Sequence, residues 1–369
     1  MLNCSQLLVI KFGSSSLVSE ANDDLQQNIF IEIAHQIRRL RDSGTQVIVV
    51  SSGAVALGRH VLPDLRAKRD IPSKQILATV GQHRLMTLWD TALTTVGMMA
   101  GQVLVTKAEL LGRAAHLNVR ETVSGMLRYG IVPIVNENDS VAVDEIRYGD
   151  NDTLSAYVAL VAGAEGIILW TDVPGVFTAN PNLFPTATFI PEIRSDMLDD
   201  YRDRVGGSVS RTGTGGMTTK LECAGIAASG GIWTRIAGGR SVEHLAEVVS
   251  GGVSSTLILP SIKQVVGKKR RILAATVVGS ILCDEGASLY VTQSGASLLA
   301  VGVVGIKGEF SRGDSVHVIS GNRLLGVGLV RYPSDELTVI MGLQASEIEA
   351  SIGYTNGPEV VHRDDFVLS

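Results

Sequence analysis

The sequence has few of the residues that build disulfide or metal frameworks. Its 369 residues include only 3 cysteines and 7 histidines. Cys4, Cys223 and Cys283 are odd in number and far apart, so they offer neither a disulfide framework nor a CxxC metal pair. No two histidines have the i, i+4 spacing of a zinc-binding helix. We therefore expect a protein of a reducing compartment, the cytoplasm, without a histidine-built metal centre.

Long apolar runs and a surplus of positive charge are also missing. No stretch approaches the ~18 consecutive apolar residues of a transmembrane helix. The apolar run 7–10 has no cationic segment before it, so neither a membrane span nor a secretion signal is expected. The 32 basic and 37 acidic residues give a formal charge of -5. This balance argues against a nucleic-acid or anionic-membrane surface over the whole molecule.

What is present is a long, apolar and glycine-rich chain. With 45% hydrophobic residues and 40 glycines it is globular. At roughly 150 residues per domain, its length predicts two or three domains. Up to about residue 260, short β-branched runs alternate with longer helical patterns, which predicts an α/β domain with a mostly parallel sheet sandwiched by helices. The expected strands are 7–10, 47–50, 103–105, 131–135 and 167–170.

The clearest helical pattern follows the first expected strand. Ile29, Ile33, Ile37 and Leu40 recur at helical spacing and form one apolar face. Gly44 then supplies a stop signal. The segment therefore predicts a helix that packs this face against the sheet before the second strand begins.

The chain changes character beyond the α/β domain, which we place at residues 1–262. The cationic stretch 268–271 is followed by short strand-like pieces separated by glycine turns. This predicts a linker over 263–271, a small β-barrel or sandwich over 272–350 and a tail over 351–369. The expected strands of this second domain are 274–278, 288–292, 298–303, 315–319 and 324–330.

Glycine-containing polar loops follow the first two expected strands. Lys11 opens the loop 11–16 after the first strand, and the second strand is followed by Ser-Ser-Gly-Ala at 51–54. The carboxyl ends of parallel strands line the crevice in which α/β proteins bind ligands, and glycine lets backbone N–H groups approach a phosphate. The loops therefore suit an anion-binding floor in which Lys11 neutralises a phosphoryl oxygen, with ordinary turn chemistry as the alternative.

Segments rich in carboxylates and amides follow the later strands. Asn-Glu-Asn-Asp at 136–139 and Gly-Asp-Asn-Asp at 149–152 carry groups that hold an ammonium and align a carboxylate, although such clusters also form loops and caps. Asp152 has two equally weighted interpretations. In one, Asp152 caps a helix that starts near residue 152, a role that Thr153 could also fill; in the other, Asp152 is catalytic. Thr-Asp at 171–172 fits a nucleotide rim or a structural proline-glycine turn.

The loop Gly-Thr-Gly-Gly-Met-Thr-Thr-Lys at 213–220 opens a helical pattern at 221–229. It is not a P-loop, because Lys220 is not part of Gly-Lys-Ser/Thr, and residue 218 is a threonine where GxGxxG has glycine. Three glycines, three threonines and a lysine at the start of a helix favour anion binding over a loop without function.

Taken in order, these segments resemble the amino acid kinase family. The likeness includes Ser-Lys-Gln at 73–75 and Val-Gly-Gln at 80–82, and it extends over most of residues 5–260. Residues 272–350, including the segment 308–314, resemble a PUA domain. The resemblance implies an amino acid kinase-like α/β domain followed by a small, β-barrel-like PUA domain.

The resemblance also implies a reaction. This is transfer of the γ-phosphoryl group of ATP to the side-chain carboxylate of L-glutamate, the first step of proline biosynthesis. Lys11 and Lys220 would neutralise charge on the transferred group, and Asp152 would orient both lysines. ATP binding is expected of Gly13, Ser14, Thr171, Asp172, Thr214, Gly215, Gly216, Met217, Thr218 and Thr219, together with Lys11 and Lys220.

Glutamate binding is implied for Ser52, Asp139 and Asn151, with Asp139 suited by charge to the α-ammonium group. Mg²⁺ would bridge the ATP phosphates, and we name no protein ligand for it because magnesium in nucleotide sites keeps waters and phosphate oxygens. The resemblance further implies a homo-oligomer, a dimer or a tetramer. The labile acyl phosphate product implies a transient complex with a reductase that consumes it.

Two other functions stay open at this point. One is another amino acid kinase reaction, with N-acetylglutamate as the acceptor. The segments 136–139 and 149–152 favour free glutamate over it. The other is RNA binding through the PUA-like domain. Residues 272–350 carry four basic and eight acidic side chains, which is a poor footprint for phosphates and argues against nucleic acid.

Overall fold

The computed structural model describes residues 6–17, 27–68, 70–142, 151–181, 183–205, 216–239, 242–260 and 277–368. The chain separates into two compact units. One comprises residues 1–111 and 119–265, and the other comprises residues 112–118 and 266–369. The expected linker, 263–271, lies outside the described residues, so the expected domain boundaries stay a prediction.

The strands of the first unit alternate with helices as the sequence predicts. They are β1 (Leu7–Phe12), β2 (Gln46–Ser51), β3 (Met99–Val105), β4 (Ile131–Glu137), β5 (Gly166–Thr171), β6 (Val176–Phe177), β7 (Phe189–Ile190), β8 (Glu192–Arg194), β9 (Trp233–Gly238) and β10 (Thr256–Leu259). β6 and β7 form a separate antiparallel pair. The others form one sheet in the order β3-β4-β2-β1-β5-β9-β10-β8, with all neighbours parallel except β9 and β10. The predicted mostly parallel sheet is confirmed.

Helices cover both faces of this sheet. Leu8 and Ile10 of β1 pack in one apolar cluster with Ile33, whereas Val9 packs in another with Leu154. Strands buried on both faces read as continuous apolar runs, which is why β1 and β2 are recognisable in the sequence. No helix of the described ranges is long and apolar enough to cross a membrane. The helices along this part of the chain are α1 (Ser14–Leu17), α2 (Gln27–Asp42), α3 (Ala54–Val61), α4 (Ile71–Thr95), α5 (Lys107–Leu111), α6 (Arg113–Arg128), α7 (Asn151–Ala162), α8 (Leu198–Val205), α9 (Met217–Ser229) and α10 (Leu245–Ser250).

Helix α2 confirms the prediction made from apolar spacing. Ile29, Ile33, Ile37 and Leu40 are all buried, and they form the face that packs on the sheet. Gly44 follows the helix with a φ of 89°, a left-handed conformation that glycine adopts without steric cost. The chain then turns into β2.

Helices α3 and α4 pack in direct backbone contact. Gly58 of α3 lies against the carbonyl of Leu77, and Gly81 of α4 lies against the carbonyl of Ala54. A Cβ atom at either glycine would overlap the facing backbone oxygen, so no side chain fits there. The two glycines therefore fix how closely α3 and α4 pack and in which register.

The second unit contains a curled, six-stranded sheet, which confirms the predicted barrel-like β-fold. Its order is β12-β16-β15-β14-β11-β13, and all neighbours are antiparallel except β11 and β14. Its elements are β11 (Val277–Cys283), α11 (Glu285–Gln293), β12 (Leu298–Leu299), β13 (Val303–Lys307), β14 (Ser315–Ser320), β15 (Arg323–Val330), α12 (Ser334–Ile340), α13 (Ala345–Ile352) and β16 (Glu359–Leu368).

The strand predicted at 288–292 is wrong, because this segment lies inside helix α11. Asp284 precedes the helix, and its carboxylate accepts a hydrogen bond from the Ala287 N–H at 2.7 Å. Such a cap satisfies one of the free N–H groups in the first helical turn. The cap thus starts a helix in a segment whose aromatic and β-branched residues suggest a strand.

The other predictions for this unit have mixed outcomes. The strands at 315–319 and 324–330 are confirmed. The segment 298–303 is divided, because a 3₁₀ turn separates β12 from β13. Of the strand expected at 274–278, residues 274–276 lie outside the described ones. The segment 351–369, which we expected to be a tail, supplies β16, and β16 pairs with both β12 and β15.

We expect a chain that ends at residue 262 to fold by itself. The strands of the first sheet all lie between Leu7 and Leu259, so its layers are complete without residues 263–369. Urea unfolding of purified 1–262, followed by circular dichroism beside the full-length chain, should show a cooperative transition. Gradual loss of structure without such a transition would place the domain boundary elsewhere.

Candidate active site

The candidate site lies where neighbouring parallel strands end. β4, β2, β1 and β5 are adjacent and parallel, so their carboxyl ends share one edge of the sheet. The polar segments that begin at Gly13, Ser52, Asn138 and Asp172 follow these strands directly and start at that edge. Open α/β sheets bind their ligands at this edge.

A shared carboxylate joins two lysines at this edge. Lys11 Nζ lies 2.6 Å from Asp152 Oδ1, and Lys220 Nζ lies 3.0 Å from Asp152 Oδ2. The Thr219 hydroxyl lies 2.9 Å from the same Oδ2. Lys11 belongs to β1, Asp152 to the first turn of α7 and Lys220 to the first turn of α9, and all three side chains are buried. The three residues predicted to be catalytic are therefore in direct contact.

The two lysines keep Asp152 ionised. Burial alone would raise the pKa of the Asp152 carboxyl, but the charges and hydrogen bonds of Lys11 and Lys220 outweigh burial and hold this pKa well below its usual range. Helix α7 begins at Asn151, so Asp152 lies inside the helix rather than before it. Its contacts with the lysines favour the chemical interpretation of Asp152 over the capping one.

The start of helix α9 adds backbone donors to the lysines. Gly216 precedes the helix in an extended conformation and has no side chain to cap it. Free N–H groups at the start of a 13-residue helix, next to the ammonium of Lys220, form an anion-binding arrangement. Met217 and Thr218 belong to this first turn. Outside the described residues lie Thr214, Gly215, Gly149 and Asp150.

The other residues predicted to bind ATP lie at the ends of two neighbouring strands. Gly13 and Ser14 follow β1, and Gly13 O accepts a hydrogen bond from Ser16 N at 3.1 Å. Thr171 is the buried last residue of β5, and its hydroxyl donates to Asp172 Oδ1 at 2.9 Å. Since β1 pairs with β5, these groups share one part of the edge.

Side-chain amides form the adjoining part of the site. Asn151 Nδ2 donates to Ser52 Oγ at 2.8 Å and to Asn136 Oδ1 at 3.0 Å. Asn151 directly precedes Asp152 in α7, so this amide cluster lies next to the lysine–carboxylate group. The structure thus brings together Ser52 and Asn151, two of the three residues predicted to bind glutamate.

Asp139, the third of these residues, lies in the turn after β4. Its carboxylate makes no hydrogen bond or ion pair with any residue that the structure describes. Burial raises the pKa of the Asp139 carboxyl to about 6. A carboxylate that is partly removed from water and has no cation beside it is suited to a ligand's ammonium group.

Two residues of α4 complete the site and were not predicted. Trp89 Nε1 donates to Ser51 Oγ at 2.9 Å, and Gln82 Oε1 accepts from Asn136 Nδ2 at 2.8 Å. Both side chains are buried. The sequence carries two signals for them: Gln82 belongs to the family-like segment 80–82, and residues seven positions apart, such as Gln82 and Trp89, lie on the same side of a helix. Neither signal reveals which strand ends they contact.

At one edge of the parallel sheet, Lys11 and Lys220 both contact the carboxylate of Asp152, and the uncapped N-terminus of helix α9 lies beside them. This fold and this site define an α/β phosphotransferase. The chain belongs to the amino acid kinase family, whose model matches residues 6–238. A model of the PUA domain matches residues 279–352. The resemblance stated from the sequence motifs is confirmed for both parts of the chain.

Curated relatives match this chain over its whole length. It is 41% identical to the protein named Glutamate 5-kinase from Photorhabdus laumondii subsp. laumondii, with 100% of both chains covered. It is 42% identical to the Glutamate 5-kinase of Geobacter sulfurreducens, over 98% of this chain and 97% of that relative. Among solved structures, carbamate kinase from Giardia lamblia bound to AMP-PNP matches 70% of this chain and 99% of that chain, at 14% identity and a TM-score of 0.52. This last likeness supports the fold.

Proposed function

We propose that this chain transfers the γ-phosphoryl group of ATP to the side-chain carboxylate of L-glutamate, giving L-glutamyl 5-phosphate and ADP. One observation carries the proposal. The group formed by Lys11, Asp152 and Lys220 adjoins the amide cluster of Ser52 and Asn151 at a single sheet edge. A site for a transferred phosphoryl group and a site for a polar acceptor are therefore neighbours. Full-length relatives at about 40% identity that carry the name Glutamate 5-kinase support the same substrate.

The chemistry of the lysines follows from the charge of the reactants. A carboxylate must approach a triphosphate, and negative charge spreads over the phosphoryl oxygens in the transition state. The ammonium groups of Lys11 and Lys220 donate hydrogen bonds to this group, and Asp152 holds both at fixed positions before the substrates arrive. The N–H groups that begin α9 bind phosphate oxygens, and the ends of β1 and β5 bind the nucleotide.

The amide cluster and Asp139 bind the amino acid. Ser52 and Asn151 lie beside Asp152, where the acceptor carboxylate must meet the phosphoryl group. The carboxylate of Asp139 accepts the α-ammonium group of glutamate. N-acetylglutamate has an amide at this position and lacks the charge, so the same pocket favours the free amino acid.

Mg²⁺ enters this proposal with ATP. Within the described ranges, no group of three or more His, Cys, Asp or Glu side chains is placed to hold a metal ion. Both carboxylate oxygens of Asp152 face lysines and are engaged there. The proposal therefore names no protein ligand for Mg²⁺, and phosphate oxygens and water would hold the ion.

The product has consequences for the partners of this enzyme. An acyl phosphate hydrolyses readily in water, so a reductase must consume it soon after release, and a transient complex with that reductase belongs to the proposal. The reaction is the first step of proline biosynthesis. A cytoplasmic location and a homo-oligomer, a dimer or a tetramer, are also proposed.

A coupled assay of ADP release tests the proposed function. The full-length chain is supplied with ATP and with L-glutamate, N-acetylglutamate or L-aspartate, and hydroxylamine traps any acyl phosphate as a hydroxamate. We expect the highest kcat/KM with L-glutamate, accompanied by hydroxamate. A higher value with N-acetylglutamate would assign the chain to that reaction. Filter binding of RNA at low and physiological salt tests the remaining alternative.

Replacing Asp139 with alanine should weaken the binding of glutamate and leave that of ATP unchanged. Loss of a charged hydrogen-bond partner should raise the KM for glutamate by about 10- to 100-fold, since such bonds contribute about 1.5–3 kcal/mol. Steady-state kinetics with each substrate varied in turn measures both constants. Equal weakening of glutamate and ATP would remove Asp139 from the amino-acid side of the site.

The raised pKa of Asp139 predicts how glutamate binding depends on pH. Above a pH of about 6 the carboxylate is charged and attracts the ammonium group, whereas below it a proton competes with glutamate. The KM for glutamate should therefore rise as the pH falls through 6. The Asp139→Ala enzyme should lack this rise. A wild-type KM that stays level between pH 5 and 7.5 would contradict the assignment.

A further inference from the structure

A row of side-chain amides connects helix α4 to the glutamate side of the site. Asn136 Nδ2 donates to Gln82 Oε1 at 2.8 Å, and Asn151 Nδ2 donates to Asn136 Oδ1 at 3.0 Å. Gln82 is 9% exposed and Asn136 is 3% exposed. Water does not compete for the bond between these two side chains, so it holds both amides firmly.

One backbone group sets the direction of every amide in the row. Glu137 N–H donates to Asn136 Oδ1 at 2.9 Å. A backbone N–H can only donate, so the oxygen of Asn136 must lie on this side and its NH₂ group must face Gln82. Asn151 must then present its own NH₂ group to Asn136 Oδ1. Its second hydrogen goes to Ser52 Oγ, at 2.8 Å.

This direction leaves one acceptor of the row, the Asn151 side-chain oxygen, without a partner among the described residues. With its NH₂ group engaged, Asn151 turns Oδ1 away from Asn136 and Ser52, and this oxygen has no hydrogen-bond partner in the described part of the chain. An ammonium group is attracted by an amide oxygen and repelled by an amide NH₂. A half-turn of the Asn151 amide would therefore convert a favourable contact with an amino acid into an unfavourable one.

We propose that Gln82 is a positioning residue for the amino-acid site. It fixes Asn136, which in turn holds Asn151 with Oδ1 directed to accept a hydrogen bond from the α-ammonium group of the substrate. The inference rests on the proposed function, because it takes glutamate as the substrate. Gln82 Nε2 is buried and has no hydrogen-bond partner among the described residues. The side chain thus acts through its oxygen.

Helix α4 gives Gln82 a fixed support. The preceding residue, Gly81, packs against the backbone of α3. Two turns further along, Trp89 donates to Ser51 Oγ at 2.9 Å, and Ser51 directly precedes Ser52. One face of α4 therefore contacts both Asn136 and Ser51, which lie beside Asn151. Helix α4 cannot shift without disturbing its contact with α3.

Three substitutions in the full-length chain test this role. Gln82→Met keeps the length of the side chain and removes the acceptor. Gln82→Glu keeps an acceptor oxygen for Asn136, and it replaces the unpartnered NH₂ group with a second oxygen that can carry a negative charge. Gln36→Met is the matched control, because Gln36 is 7% exposed and accepts from Ala246 N of helix α10 rather than from any residue of the site. Glutarate, which lacks the ammonium group, serves as a second acceptor substrate.

We expect Gln82→Met to lower kcat/KM for glutamate about tenfold, the loss expected for about 1.4 kcal/mol, with the KM for ATP within about twofold of the wild type. Gln36→Met should stay near the wild type, and Gln82→Glu should retain more activity than Gln82→Met because it keeps the acceptor for Asn136. The loss should disappear with glutarate. If Gln82→Met does not fold, Gln82→Ala takes its place in the same comparison.

Several results would overturn the inference. An unchanged kcat/KM for glutamate in Gln82→Met, an equal loss with glutarate, or an equal rise in the KM for ATP would each do so. These results are distinct from failure of the proposed function. In that case the wild-type chain itself would not use glutamate.

Discussion

Replacing Lys220 with alanine should lower kcat at least about a hundredfold, equivalent to about 2.7 kcal/mol of transition-state stabilisation, with a smaller change in KM. In the proposed reaction the ammonium of Lys220 meets charge that develops on the phosphoryl group, so its loss should act mainly on the chemical step. The fold should persist, because Asp152 keeps its 2.6 Å ion pair with Lys11. Steady-state kinetics and thermal unfolding measure the two effects separately.

Lys11→Ala should behave in the same way, and the double variant should lose less than the product of the single losses. Both lysines share Asp152 and would serve one phosphoryl group in the proposed reaction, so their effects should be coupled. The exposed Lys107, whose Nζ lies over the ring of Tyr157, offers a matched control, and Lys107→Ala should leave kcat unchanged. A Lys220→Ala enzyme with near-normal kcat would return the loop 213–220 to a structural role.

Gly81→Ala should destabilise the chain by about 3 kcal/mol or more, the upper range for overpacking, because the added Cβ overlaps the Ala54 carbonyl oxygen. Both sides of the contact are backbone, so no side chain can rotate away to make room for the added Cβ. The effect is opposite in sign to the usual gain of about 0.8–1 kcal/mol when glycine becomes alanine inside a helix. Urea unfolding measures the difference.

Gly125 of α6 is the matched control for this substitution. It is also a helical glycine, but a Cβ there meets nothing within 4 Å. Gly125→Ala should leave the unfolding midpoint unchanged or raise it. If Gly81→Ala unfolds at the same urea concentration as the wild type, α3 and α4 do not need the close contact described above.

The sequence predicts five of the eight strands of the sheet, β1 to β5, but not β8, β9 and β10. Within β1, β2 and β5 the segments 7–10, 47–50 and 167–170 are unbroken apolar runs buried on both faces, and no tertiary information is needed to find them. Helix α11 is the contrary case. The segment 288–292 contains aromatic and β-branched residues, and a short run of this kind has no period that separates strand from helix. The cap by Asp284 determines the outcome.

The site is predictable only in part, since its contacts join distant segments. The residue types of Lys11, Asp152 and Lys220 suggest phosphate chemistry, but the sequence alone does not distinguish a capping Asp152 from a catalytic one. The structure shows its contact with Lys220, 68 residues away. The role of Gln82 is harder to predict than that of Asp152. Its partner Asn136 lies 54 residues away, and a glutamine by itself indicates no particular function in a sequence.

The backbone contact between α3 and α4 also determines whether a second substitution nearby can compensate for a glycine-to-alanine substitution. A Cβ at Gly101 of β3 would meet the side chains of Met126 and Ile131, so a shorter residue at 126 or 131 makes room for it. At Gly81 the obstructing atom is a backbone oxygen of Ala54, which every amino acid carries. In a selection for growth that requires this enzyme, Gly101→Ala should acquire local suppressors. At Gly81 no neighbouring side chain can be shortened to make room. Among nearby substitutions, reversion of residue 81 to glycine is therefore the one expected to restore growth.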